Sequence, residues 1–135
     1  MKKSGLQQYQ TLNVQTALVD ADPHKLVQLL MNGAIDRVLQ AKGFMERRDI
    51  ENKNAIINKS VAIIGGLMDS LDMEKGGELA VNLERLYDYM CWRLFQANIH
   101  NDTAMLDEVI TLMQTVKEGW DAISPTKTDA AVSPA

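Results

Sequence analysis

The stretch GGELAVNLERLYDYM, residues 76–90, opens on two glycines and then continues without a breaker through CWRLFQANI to residue 99. Its length and its Leu, Ala, Glu and Arg content predict a helix over about 78–99. With Leu79 set at zero and 100° per residue, Leu83, Leu86, Met90, Leu94 and Ala97 fall within about 60° of it, flanked by Ala80, Tyr87 and Cys91. That side is a core face. Val81, Trp92, Phe95 and Ile99 instead fall near about 160° to 220°, on the opposite side. Fully burying one such side chain stabilises by about 1.5–3 kcal/mol, a large share of a domain's typical total of about 5–15 kcal/mol. Four of them facing away from the core therefore predict a cover: the chain's own N-terminal segment, a second copy, or a foreign polypeptide.

Working outward, DADPHKL starts a helix that runs to about residue 48, with Asp22 as cap and Pro23 in first helical position. Its apolar arc is Leu26, Val27, Leu30, Ala34, Val38, Ala41, Phe44 and Met45. A second helix over about 50–71 gathers Ile56, Ile57, Ser60, Val61, Ile63, Ile64, Leu67, Met68 and Leu71 into another arc, with Gly65 and Gly66 predicted to let a neighbouring backbone approach. The turn LDMEKGGE separates it from the opening stretch. A fourth helix over about 103–123, capped by Asn101 or Asp102, carries Met105, Leu106, Val109, Met113, Val116, Trp120 and Ile123 in one stripe. Short connections between helices of this length favour antiparallel neighbours, so the expected fold is all-α, an antiparallel up-down four-helix bundle. The domain plan is a mobile N-terminal cap segment over 1–19, the bundle over 20–123 and a disordered tail over 124–135.

Composition excludes several functions. The 135 residues are 46% hydrophobic, enough for one core. Fourteen basic and eighteen acidic residues, a net charge of −4 without blocks of like charge, show no nucleic-acid footprint. No apolar run implies membrane insertion, and the first residues lack the apolar core of a secretion signal. A cytoplasmic protein is expected. Lone Cys91 reads as a small apolar filler, and His24 and His100 sit at helix ends without metal spacing. No phosphate loop, nucleophile elbow or zinc pattern occurs, and carboxylates such as Glu78, Glu84, Asp88, Asp107 and Glu108 read as a solvated surface. Neither catalysis nor a cofactor is expected. Met31, Met90, Met105 and Met113 read as core fillers or as adaptable contacts for a partner.

Tyr9 followed by VQTA, DPHKL opening the first helix, GAIDRVLQAK within it, GGELAVNLERLYDYM with LFQAN in the third, and Trp120 near the end together resemble the flagellar secretion chaperone family FliS. The similarity spans about residues 6–123, and the third-helix block is its most specific part. The resemblance implies a bundle that binds the disordered C-terminal segment of flagellin as helical pieces in apolar grooves. It also implies that premature polymerisation is blocked and the client handed to the flagellar type III export gate. Val81, Trp92, Phe95 and Ile99 become the candidate client contacts, and Tyr9, Leu12 and Val14 a displaceable N-terminal cover. The free form is expected to be a monomer or weak dimer. One departure is LMNG, where Met31 and Asn32 stand in place of the family's usual tyrosine and acid. The alternatives are a structural helical homodimer that buries the ridge against itself and a phosphotransfer bundle using His24 or His100.

Overall fold

The computed structural model describes residues 22–123. They form four helices: α1 (Pro23–Glu46), α2 (Ile50–Asp69), α3 (Met73–His100) and α4 (Thr103–Ala122). Each helix starts on an aspartate. Asp22, Asp49, Asp72 and Asp102 accept backbone hydrogen bonds from Lys25, Asn52, Lys75 and Ala104, at 2.8, 3.3, 2.9 and 2.9 Å. These bonds occupy amides that the first turn leaves without intrahelical partners. The two residues considered as caps for α4 divide the work. Asn101 ends α3 in the left-handed region at φ 51°, and Asp102 begins α4.

Connections of two or three residues force consecutive helices to run antiparallel. α1 packs on α2 and α4, and α3 packs on the same two from the far corner, so the four close into a ring. Cross-ties mark the register of α1 against α4: Trp120 Nε1 donates to the His24 carbonyl at 3.1 Å near one end, and Lys42 Nζ meets Asp107 at 2.9 Å near the other. The expected up-down bundle is the architecture observed. Among the described residues no helix is long and apolar enough to cross a membrane.

One continuous core fills the ring, with Leu30, Met31, Val38, Ile57, Ile64, Leu67, Tyr87, Met90, Leu94, Leu106 and Met113 buried at its centre. Met31, the departure in LMNG, is fully buried and acts as core filler, while its neighbour Asn32 faces solvent. Met90 and Met113 are likewise core, and Met105 is partly buried against it.

Four expectations need correction. Helix α3 begins at Met73 rather than Glu78, because Asp72 caps a first turn inside LDMEKGGE; the chain then breaks helical geometry at Gly77, φ 52° and ψ −130°, where a side chain would be strained. A Cβ at Gly65 would meet nothing within 4 Å, so no backbone approaches there. The core face of α3 is turned about 30° from the expected one, towards Ala80 and Tyr87. Both are fully buried, whereas Leu79 and Leu86 are only partly so. Phe44 is half-buried beneath the Arg47 guanidinium, 5.2 Å from its ring centre, rather than in the core.

Candidate functional site

The rotation of α3 that buries Tyr87 carries the opposite side of the helix fully outward. Trp92, Phe95 and Ile99 are 52%, 47% and 71% exposed and stand at i, i+3 and i+7, forming a ridge along the last two turns. Val81 was expected beside them but is half-buried and lies three turns away. Tyr89, which the helical phase alone left unassigned, is 39% exposed and extends the aromatic surface, its ring 5.9 Å from that of Trp92. Tyr9, Leu12 and Val14 lie outside the described residues.

A polar clamp from α4 borders the ridge. The two oxygens of Glu108 accept from different α3 side chains: Oε2 from the Tyr89 hydroxyl at 2.5 Å and Oε1 from Arg93 Nε at 2.6 Å. The Tyr89 hydrogen bond, and then that of Arg93, holds the Glu108 carboxyl below its ordinary value, and the same bond pushes the Tyr89 phenol up. The guanidinium of Arg93 lies 6.0 Å from the Trp92 ring centre, so the indole has both the Tyr89 ring and the Arg93 guanidinium as near neighbours. Glu108, expected to be an ordinary solvated carboxylate, is thus tied on both oxygens. Its partners come from another helix, and no spacing along the chain announces them.

Lys53 was also missed. It lies on the apolar arc of α2, one turn before Ile57, and is only 6% exposed. Its ammonium donates to the Asn98 carbonyl at 3.3 Å and to Asn101 Oδ1 at 3.2 Å, placing a cation at the C-terminal end of α3, where the helix's free carbonyls gather. That anchors the turn on which Ile99 stands. The signal in the sequence was a lysine where the pattern of α2 called for an apolar residue.

The groups that could do chemistry are placed otherwise. Burial, and then the charge of Asp88, pushes the half-buried Cys91 thiol up to about 11, so it stays protonated and unreactive near neutral pH. His24 stacks on Trp120 with ring centres 5.4 Å apart and lies 3.3 Å from the Gln28 amide nitrogen, as a packed part of the α1–α4 seam. His100 is the last residue of α3. Neither stands exposed in mid-helix, as a phosphate-accepting histidine would. Among the described residues no group of three or more His, Cys, Asp or Glu side chains is arranged to hold a metal ion.

The profile of the family described as "Flagellar protein FliS" matches residues 5–127, nearly the whole chain. Flagellar secretion chaperone FliSB of Pseudomonas aeruginosa is 53% identical over 119 residues, covering 88% of this chain and 94% of that protein. Flagellar secretion chaperone FliS of Salmonella typhimurium is 42% identical over 90% of this chain and 91% of its own length. The Bacillus subtilis protein of the same name is 35% identical, with 78% of each chain covered.

Proposed function

Because this chain belongs to the flagellar protein FliS family, we propose that it is a flagellar secretion chaperone whose client is the C-terminal segment of flagellin. The client arrives disordered and lays amphipathic helical pieces on the apolar surface of the bundle. Trp92, Phe95 and Ile99 are its principal contacts, with Val81 at the far edge. Held in this way the segment cannot polymerise prematurely, and the complex passes to the flagellar export gate. The work is done in the cytoplasm, without cofactor or covalent chemistry. Tyr9, Leu12 and Val14 cover the surface when no client is bound and are displaced by it, so the free protein is a monomer or weak dimer.

The observation that carries this reading is the ridge itself, three large apolar side chains in helical register on the side of α3 away from the core. An incoming helix with its own apolar stripe can cover such a row, burying its anchors where the bundle has none to offer. Ordering a disordered client opposes binding, so the affinity has to come from broad apolar burial.

Titration calorimetry with the flagellin C-terminal segment tests it. Trp92→Ala and Phe95→Asp should each weaken binding about tenfold or more, as loss of an aromatic anchor does, while circular dichroism stays near wild type. Absence of any heat with the unmodified protein removes the reading. Loss of helicity in Phe95→Asp would instead put the ridge in the core.

A further inference from the structure

An exposed tryptophan on a helix normally samples several rotamers, and a partner that docks on it has to freeze one of them. Trp92, 52% exposed, has two neighbours that are themselves held. They are Tyr89, one turn back, and Arg93, the next residue, and both are held by the same carboxylate on the neighbouring helix, at 2.5 and 2.6 Å. Their ring and guanidinium stand 5.9 and 6.0 Å from the indole ring. A carboxylate shared between two donors fixes each more firmly than either would be fixed alone, and the Arg93 bond is charge-assisted.

We propose that Glu108 is a positioning residue for the ridge: by holding Tyr89 and Arg93 together it presents the Trp92 indole in one orientation before the client arrives. Glu108 need not touch the client. It acts through Trp92, by reducing the side-chain freedom lost on docking. The inference rests on the reading of the ridge as client surface, and its two parts fail separately.

The experiment uses the full chain with Glu108→Gln, which keeps the shape and removes the charge, and Tyr89→Phe, which keeps the ring and removes the donor. Time-resolved fluorescence anisotropy and acrylamide quenching report on the Trp92 indole, because Trp120 is buried at 3% exposure; Trp92→Phe supplies the background. Both variants should speed the local depolarisation of Trp92 and weaken binding of the flagellin C-terminal segment about three- to tenfold. That weakening should vanish when Trp92→Ala is already present. Circular dichroism identifies a variant that has not folded, and Tyr89→Phe is the milder of the two. Unchanged depolarisation overturns the proposal. So does an affinity loss that persists undiminished beside Trp92→Ala, since Glu108 would then act only as a tie between α3 and α4. Faster depolarisation with flagellin binding untouched by Trp92→Ala upholds the positioning of the indole and overturns the assignment of the ridge to flagellin.

Discussion

Leu94 and Phe95 are consecutive residues of α3, both large and apolar, yet Leu94 is 0% exposed and Phe95 47%. Leu94 continues the inner row of Leu83, Tyr87 and Met90, buried in the core, and Phe95 belongs to the outer row with Trp92 and Ile99. One helix therefore uses the same kind of side chain for two ends. The inner row stabilises the chain by leaving water during folding. The outer row retains that driving force, and it becomes available only when something else covers the surface. The lesson is that apolar content along a helix does not measure its contribution to stability; the side on which it falls does.

The sharpest way to break that contrast is to truncate one residue from each row. Leu94→Ala should cost about 2–5 kcal/mol in chemical denaturation, because a buried leucine loses its transfer energy and leaves a cavity. Ile99→Ala, at a 71% exposed position, should stay within about 0.5 kcal/mol of wild type. Equal losses would mean that the outer row is buried in the free protein as firmly as the inner one, which a displaceable cover does not do. Lys53→Met sharpens the comparison where the two rows meet at the end of α3. Leaving the Asn98 carbonyl and Asn101 Oδ1 without their donor should cost about 1–3 kcal/mol. Hydrogen exchange should quicken in the last turn of α3 more than in its middle.

The smallest effect is electrostatic and concerns the clamp. Glu108 titrates below its ordinary value of 4.5 in the folded chain, through the Tyr89 and Arg93 hydrogen bonds. A carboxyl with a lowered folded value binds fewer protons than its unfolded counterpart, so its stabilisation is fully present above pH 4.5 and is lost as pH falls through the lowered value. Asp49 and Asp121 are lowered too and act in the same direction. Denaturation followed between pH 7 and pH 3 should therefore show an acid loss of stability that is smaller, but not absent, in Glu108→Gln. An identical profile in that variant would show that the clamp contributes nothing to the α3–α4 seam.

Much of the fold was legible because it rests on local chemistry. The aspartates at 22 and 102, Pro23 and the apolar arcs mark helix starts and faces through hydrogen bonds and periodicity within a few residues of each other. The outward placement of Trp92, Phe95 and Ile99 was legible for the same reason, since helical phase survives an error of about 30° when the faces are about 180° apart. Smaller distinctions did not survive it. Leu79 and Leu86 fall at the edge of the turned core face and are only partly buried, and Val81 is half-buried rather than exposed. Tyr87 passed from flank to core because α2 and α4, and not α3 alone, determine which part of an apolar arc faces inward.

The amino-acid order by itself determined four helices, the caps of the first and the last, their short antiparallel connections and the existence of an apolar row that the core does not need. Only the tertiary structure decided what surrounds that row: Glu108 reaching from α4 to hold Tyr89 and Arg93 beside Trp92, and Lys53 reaching from α2 to the end of α3. The physical reason is range. Capping and periodicity act within a turn or two of the chain, whereas a hydrogen bond between residues 15 to 48 positions apart exists only after packing has set the helices side by side.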